Sequence, residues 1–250
     1  MKLKNSVVVV TGGTRDIGKA ISLNLASKGA KVAINYFNNE SNANETLAEV
    51  EALGGEAILV RGDMTKQDDV ASLIEQTTAA FGPKIDGLVN VAGGLVARKT
   101  IDEMDEDFFD KVMRLNLNST FLTVKACVPL MSDGSAIVNL ASQAGRDGGG
   151  PGASAYATSK GAVMTFTRSM AKELGPKGIR VNALCPGMIN TTFHDTFTND
   201  AARENVANAT PLKREGKAVE VADTVCYLLS DEASFLNGIN MDINGGLVFS

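Results

Sequence analysis

Short runs of β-branched residues alternate with helical stretches along the whole chain, and this alternation constrains the fold most strongly. The strand candidates are apolar throughout, so both faces of the sheet that they form should be covered. Such strands joined by helices require right-handed crossovers and a parallel sheet. We therefore predict an α/β fold, a doubly wound parallel sheet of about seven strands with helices on both faces. The strand candidates are Ser6–Thr11, Lys31–Tyr36, Glu56–Arg61, Gly87–Val91, Ser135–Leu140, Ile179–Leu184 and Gly238–Asp242.

The segments between the strand candidates have helical patterns, and two of them end at glycines, Gly29 and Gly54, that are typical of helix C-terminal stops. No run of Pro, Ser or like charge divides the chain, so we expect a single domain over residues 1–250. The helix candidates are Ile17–Lys28, Ser41–Leu53, Lys66–Phe81, Asp105–Met131, Ala153–Leu174 and Val219–Leu229.

Charge and composition exclude several classes of partner. The formal net charge of −5 and the absence of Trp argue against a nucleic-acid or anionic-membrane surface. No apolar run is long enough to cross a bilayer or to form a signal peptide, so we expect a cytoplasmic protein without a membrane partner. Cys127, Cys185 and Cys226 are too widely spaced for a metal cluster, and we predict reduced thiols and no metal.

A glycine-rich turn, Thr11–Gly18, follows the first apolar strand and precedes the first helix. In a sheet of this kind, such a turn aims a helix N-terminus at a pyrophosphate, and its glycines let the backbone approach the ligand closely. The turn alone is a weak signal, and an ordinary strand-to-helix connection would look similar. Its position after the first strand favours a dinucleotide site.

Tyr156 and Lys160 are spaced four residues apart in a helix candidate, so they share one helix face. An ammonium beside a phenol favours the phenolate and lowers the tyrosine pKa. A working pKa near 7 requires a shift of about 3 units from the ordinary value, which corresponds to about 4 kcal/mol. The pair therefore predicts a tyrosine that exchanges a proton with a substrate, with the lysine supplying part of the shift. The same spacing also occurs by chance in many helices.

These features, together with motifs farther along the chain, resemble the short-chain dehydrogenase/reductase family in its compact form. The resemblance runs essentially from end to end, and it implies a Rossmann-like fold and an NAD(P)-dependent oxidoreductase acting on CH–OH or C=O groups. The motifs that carry it are Thr11-Gly12 with Gly18, Gly62-Asp63-Met64, Asn90-Val91-Ala92-Gly93, Asn116, Ser142, Tyr156 with Lys160, Pro186–Thr191 and Asp242–Gly246.

The resemblance implies a role for each of four catalytic residues. Tyr156 would be the general acid in carbonyl reduction, and Ser142 would hydrogen-bond the carbonyl oxygen. Lys160 would lower the tyrosine pKa and hold the nicotinamide ribose, and Asn116 would anchor a water and proton relay to Lys160. The implied cofactor-binding residues are Gly12, Thr14, Arg15, Ile17, Asp63, Met64, Asn90, Ala92, Gly93, Tyr156, Lys160, Pro186, Gly187, Ile189 and Thr191.

One position of the turn departs from the family pattern, because Asp16 stands where the middle glycine is usual. A β-carbon and a negative charge there should weaken the binding of an anionic cofactor unless a cation such as Arg15 neutralises the charge. The stretch after the second strand, Asn35–Asn39, contains neither an acid for a ribose hydroxyl nor a base for a 2′-phosphate. NAD(H) and NADP(H) both remain open as the cofactor.

The substrate is the least constrained part of the prediction. Met188–Pro211 should form a lid over the substrate, and Arg146 and the Arg98-Lys99 pair should rim the cleft. Arg146 and the lid residue His194 are the candidate substrate contacts, although a lone loop histidine is more often a solvated residue. The cations at the rim favour a small polar substrate that carries a carboxylate, although surface charges paired with nearby acids would look the same.

The chain resembles family members that reduce keto-sugar acids, including the alginate-derived deoxy-hexulose uronate type, which implies a small polar keto compound as substrate. It is also similar to 3-oxoacyl-acyl-carrier-protein reductases. A catalytically inactive nucleotide-binding regulator is the alternative from another class, and the resemblance implies a homotetramer.

Overall fold

The computed structural model describes residues 2–249. The strands within that range are β1 Val7–Thr11, β2 Lys31–Tyr36, β3 Glu56–Arg61, β4 Gly87–Asn90, β5 Ala136–Leu140, β6 Arg180–Pro186, β7 Ile189–Asn190, β8 Gly216–Lys217 and β9 Asn240–Ile243. Seven of them form a parallel sheet in the order β3-β2-β1-β4-β5-β6-β9. The order reverses between β1 and β4, because the chain leaves the sheet after β3 and returns on the other side of β1. The predicted doubly wound sheet is confirmed.

Helices cover both faces of the sheet and bury the apolar side chains of the strands. They are α1 Asp16–Ser27, α2 Glu40–Ala52, α3 Gln67–Phe81, α4 Glu106–Met113, α5 Ser119–Cys127, α6 Ala144–Asp147, α7 Ser154–Leu174, α8 Thr192–Phe197, α9 Asp200–Ala209 and α10 Ala218–Leu229. One core lies between the sheet and α1, α2 and α10, and the other lies between the sheet and α3, α5 and α7. Central residues of the strands, such as Val8 and Leu88, are fully buried, as uniformly apolar strands require.

The predicted helix over Asp105–Met131 is interrupted in the structure. A π-helical turn at Arg114–Asn118 separates α4 from α5, and a 3₁₀ turn follows α5. Periodicity did not reveal this, because a π turn adds one residue without changing the apolar character of the segment. Turns of this kind are often found at functional sites, and this one contains Asn116.

The segment after β6 leaves the sheet and forms a small substructure above it. The short strands β7 and β8 pair in parallel and hold both ends of this segment. We call residues 191–215, which contain α8 and α9, the lid. The sequence predicted a lid here but not its two helices.

All three cysteines are free and buried, in agreement with the prediction of reduced thiols. Burial raises the pKa of Cys127 and Cys226 to about 12 and that of Cys185 to about 11. None of the helices described between residues 2 and 249 has the length and apolar character needed to cross a bilayer.

Candidate active site

A large cleft lies at the carboxyl ends of the strands, where the strand order reverses, which is the usual ligand position in an open α/β sheet. Its volume of about 1540 Å³ exceeds that of typical sites for one small molecule, about 300–1,000 Å³, and leaves room for a dinucleotide and a substrate. Most of the predicted site residues line it. They are Gly12, Thr14, Arg15, Ile17, Asp63, Met64, Ala92, Gly93, Ser142, Tyr156, Lys160, Pro186, Gly187, Ile189, Thr191 and His194.

The glycine-rich turn is held by a buried asparagine that the sequence did not identify as functional. Asn35 accepts a hydrogen bond from the Gly12 N–H at 3.2 Å and donates to the carbonyls of Val60 and Gly62 at 3.3 and 3.0 Å. It is 2% exposed, so these bonds form away from water. The only available signal was a polar residue near the end of an apolar strand.

Close backbone approach shapes the cleft in the way that a dinucleotide requires. Gly12 has a φ of +62°, and a β-carbon at Gly18 would stand 2.0 Å from the Gly12 carbonyl oxygen. A β-carbon at Gly93 would stand 2.5 Å from the Asn116 Oδ1. Because side chains at these places would fill the cradle or displace its wall, the residues present fit a bound dinucleotide.

Lys160 lies beneath this cradle, on α7, with its ammonium group 5.8 Å from the centroid of the Tyr156 ring. Its Nζ donates a hydrogen bond of 2.6 Å to the Leu140 carbonyl at the end of β5. The side chain is buried, and burial lowers the pKa of Lys160 to about 8. In the described part of the chain, the hydrogen-bond partner of the Lys160 ammonium is therefore a carbonyl oxygen, and burial makes this ammonium easier to deprotonate.

Tyr156 and Ser142 both line the cleft. Burial raises the pKa of Tyr156 above its ordinary value, and the nearby Ser142 hydroxyl offsets part of this rise. The lowered tyrosine pKa that we expect, with Lys160 supplying part of the shift, is not present in the protein alone, because desolvation of the phenolate dominates. In the protein alone, Tyr156 is a protonated donor over the physiological range.

Two predicted site residues support the cleft from below and do not line it. Asn90 is buried, donates to Asn139 Oδ1 at 2.9 Å and accepts from Thr123 at 2.6 Å, so its predicted contact with the cofactor is corrected to a structural role. Asn116 also points inward: its amide donates to the carbonyls of Gly94 and Val112, and its Oδ1 accepts from the Gly94 N–H at 2.9 Å. The side chain of Asn116 is therefore committed to the backbone.

The predicted role of Arg146 in substrate binding is wrong. Its side chain points away from the cleft, pairs with Asp242 and bonds to the Asn240 carbonyl on β9. Ion pairs between residues 96 apart in the chain are not visible in local sequence. Of the cations predicted to rim the cleft, Arg98 does line it, and its Nε and Nη1 donate to the carbonyls of Phe197 and Pro151 at 3.0 and 2.9 Å.

Aromatic side chains of the lid cover the catalytic tyrosine candidate. The Phe193 ring lies 6.0 Å from the Tyr156 ring and 5.1 Å from the rings of both His194 and Phe197. His194 lines the cleft as predicted, with its Nδ1 3.0 Å from the Thr198 hydroxyl, and burial lowers its pKa. Sequence reasoning missed the two phenylalanines, because apolar residues in a loop carry no specific signal.

Comparisons with known proteins agree with this geometry. A family model described as enoyl-(acyl carrier protein) reductase matches residues 12–248. A 3-oxoacyl-[acyl-carrier-protein] reductase of Synechocystis is 38% identical over 250 residues, with 98% of each chain covered. The solved structure of a short chain dehydrogenase from Burkholderia cenocepacia in complex with NADP has a TM-score of 0.92 at 32% identity and covers 99% of both chains.

A second solved structure, that of an NADH-dependent reductase responsible for alginate metabolism, has a TM-score of 0.90 at 30% identity and covers 99% of both chains. The family model, the Synechocystis protein and the alginate-metabolising reductase are named for different substrates or pathways, while the two solved structures share this fold and are named with NADH or NADP. The chain is therefore an oxidoreductase that uses NAD(H) or NADP(H), and it belongs to the short-chain dehydrogenase/reductase family.

Proposed function

We propose that the protein is an NAD(P)H-dependent carbonyl reductase with Tyr156 as the general acid. The observation that carries the proposal is the placement of Ser142 and Tyr156 side by side in one cleft, with the buried Lys160 next to them. Two hydroxyl groups at one point can both donate to a carbonyl oxygen while negative charge grows on it. A reaction at a carbonyl uses such a pair better than one at a carbon–carbon double bond, which has no oxygen at the reacting atoms.

The residues of the chain would divide the work as follows. A bound dihydronicotinamide supplies the hydride. Tyr156 donates its proton to the substrate oxygen and takes one back when an alcohol is oxidised. Ser142 orients that oxygen, and the ammonium of Lys160 stabilises the phenolate that remains. Asn116 would act through the backbone, because its side chain fixes Gly94 and the π turn that contains it lies against Gly93.

Both nicotinamide cofactors are compatible with the cleft. The Burkholderia protein is in complex with NADP, and the alginate-metabolising relative is NADH-dependent. Arg15, a cation within the glycine turn whose side chain is 64% exposed, could meet a 2′-phosphate, but its Nε lies 3.2 Å from the Asp16 carboxylate. We propose that both forms are used, with the preference decided by this pair.

For the substrate, we propose a small keto compound, and a keto-sugar acid is the first candidate. Support comes from the similarity to the alginate-metabolising reductase and from Arg98 at the cleft. Arg98 uses its Nε and one Nη1 hydrogen on backbone carbonyls, and Nη2 is the part of the fork left for a carboxylate. Arg98→Gln should raise KM for a carboxylate ketone about tenfold more than it raises KM for the neutral analogue, which reports only the lost contact to the lid.

A 3-oxoacyl thioester is the second candidate, and a specific observation favours it. The lid presents Phe193 and Phe197, and Leu95, Val206 and Leu247 complete an apolar lining of the cleft. An acyl chain would bury its apolar surface against this lining, whereas a hydroxylated sugar would make few apolar contacts with it. The 38% identity to a 3-oxoacyl reductase points in the same direction.

A substrate screen tests the proposed function. The purified protein would be assayed for NADH and NADPH oxidation with keto-sugar acids, acetoacetyl thioesters and simple ketones. Turnover of any carbonyl supports the proposed reaction, and the ratio of kcat/KM values separates the two candidates. Nucleotide binding without turnover on any of the three classes would instead support an inactive nucleotide-binding regulator.

We also propose that the chain folds as one domain and acts in the cytoplasm as a homotetramer, as its family resemblance implies. Exposed aromatic side chains on α4 and α5, Phe109 and Phe121, are compatible with an interface there. Light scattering of the purified protein measures the assembly directly, and a monomer at micromolar concentration would contradict the proposal.

A further inference from the structure

Asp16 occupies an unusual place in the glycine-rich turn. Its φ of +50° is in the left-handed region, which glycine adopts freely and which other residues adopt at a cost, aspartate more readily than most. It also begins α1 and lines the cleft. A residue that stays in such a conformation at a ligand site needs a compensating interaction, and the structure contains one.

The Asp16 carboxylate reaches across the cleft to the start of the lid. Oδ1 accepts a hydrogen bond of 3.0 Å from the Thr192 N–H, and Oδ2 accepts one of 2.6 Å from the Thr192 hydroxyl. The two residues are 176 positions apart in the chain. Both carboxylate oxygens are therefore committed to one residue, while Arg15 Nε lies 3.2 Å from Oδ2 and partly neutralises the charge.

Thr192 is the first residue of α8, the helix that carries the aromatic cover. Phe193 and His194 follow it directly, and the Phe193 ring lies 6.0 Å from the ring of Tyr156. Fixing the first residue of a six-residue helix fixes the direction in which the next side chains point. The Asp16 bridge thus holds the substrate wall of the cleft from the cofactor side.

We propose that Asp16 is a positioning residue that latches the lid to the glycine-rich turn and thereby sets the position of Phe193 and His194 over the reacting carbonyl. The proposal rests on the proposed function for its kinetic part. The latch has an opposite effect on the other ligand: the same carboxylate places a negative charge beside the turn that would receive a pyrophosphate. The Asp16 carboxylate therefore improves substrate positioning and lowers cofactor affinity at the same time.

Two variants test the latch without disturbing the backbone. Asp16→Gly removes the carboxylate and fits the left-handed conformation, so it should fold. Thr192→Val removes one of the two donors and keeps the backbone N–H. At saturating cofactor, Asp16→Gly should raise KM for the carbonyl substrate about tenfold with kcat within about twofold, since the lost bonds involve a charged acceptor. Thr192→Val should give a smaller rise.

The same variants should move two readouts that need no turnover. Limited proteolysis within residues 191–215 should accelerate about tenfold in Asp16→Gly, because the lid loses its anchor on the turn. The Kd of the cofactor should fall several-fold in the same variant as the carboxylate charge is removed. Asp68→Asn, at an exposed position in the first turn of α3, is the matched control for loss of one negative charge and should change neither.

The double variant decides whether the two residues act as one unit. Asp16→Gly with Thr192→Val should be no more sensitive to protease than Asp16→Gly alone, since the bridge is already absent. The latch would be overturned if the two substitutions multiplied their effects on the cleavage rate, or if Asp16→Gly alone left that rate unchanged. If the wild type reduces no carbonyl, the proposed function fails while the proteolysis result still decides the latch.

Discussion

On the cofactor side of the cleft, the wall is backbone that buried side chains hold in place, such as Asn35 beneath Gly12. On the substrate side, the wall consists of side chains on the lid, which ion pairs hold. Arg203 makes a two-pronged contact with Glu215 at 2.7 Å, pairs with Asp195 and bonds to Asn190. The buried backbone on the cofactor side should keep the same position whichever ligand is bound. The side chains of the lid, which ion pairs hold, can be exchanged for others without a change in the sheet.

The largest expected effect concerns the chemistry that both sides serve. Tyr156→Phe removes the proposed proton donor, and kcat should fall about 100- to 10,000-fold. Cofactor Kd should stay within about twofold, because the ring and the cradle remain. Steady-state kinetics and cofactor titration measure both. Tyr227→Phe on the surface of α10 is the control, and retention of most of the turnover in Tyr156→Phe would defeat the proposed mechanism.

The next prediction tests the rigidity of the cofactor side. Gly18→Ala would place a β-carbon 2.0 Å from the Gly12 carbonyl oxygen, so the turn must shift. We expect a loss of about 1–3 kcal/mol in the free energy of unfolding and a rise in cofactor Kd of at least about tenfold. Denaturant unfolding and titration measure these. Gly161→Ala is the control, because its β-carbon would lie 3.3 Å from the nearest atom, the Gly145 carbonyl oxygen. It should change the free energy of unfolding and the cofactor Kd much less, and equal effects of the two substitutions would show that the turn is flexible.

A third prediction concerns the stability cost of the buried ammonium. The folded-state pKa of Lys160, about 8, lies below the ordinary value of 10.5, so charging this lysine opposes folding at every pH below about 8. The cost fades as the pH rises from 8 to 10.5 and is absent above that. Lys160→Met should therefore be more stable than the wild type at pH 7, by about 1–3 kcal/mol. The wild type should gain stability as the pH rises from 8 to 10.5, and the variant should not.

Denaturant unfolding between pH 7 and pH 10.5 measures this effect, because in that interval Lys160 becomes protonated differently in the folded and the unfolded chain. Lys172→Met, exposed on the same helix, should leave the pH profile of the wild type intact. A Lys160→Met protein whose stability follows the same profile would contradict the lowered pKa.

The smallest predicted effect separates the two walls. Arg203→Met removes the contacts to Glu215, Asp195 and Asn190, so the lid should lose its fixed position. KM for the carbonyl should rise about five- to tenfold while cofactor Kd stays unchanged. Arg168→Met, an exposed arginine on α7, is the control. An increase of cofactor Kd as large as that of KM would mean that the lid and the glycine turn are one unit.

The contrast between the two walls also explains what the sequence could predict. Strand ends, the glycine turn and the Tyr156 and Lys160 pair follow from local patterns, so the sheet and most cleft residues were predictable. Arg146 was not, because its partner Asp242 is remote in sequence and nothing local signals the pair. Asp16 was visible as a departure from the family pattern, but its bond to Thr192 exists only in three dimensions.

The three buried thiols have a practical consequence. Their pKa values of about 11 to 12 and their positions in the core leave almost no thiolate for an alkylating reagent while the chain is folded. Alkylation should therefore wait for the opening of the sheet, and mass spectrometry after a short pulse would count the molecules that had opened. The three cysteines of the chain can therefore serve as probes of the unfolding rate, and no label has to be engineered.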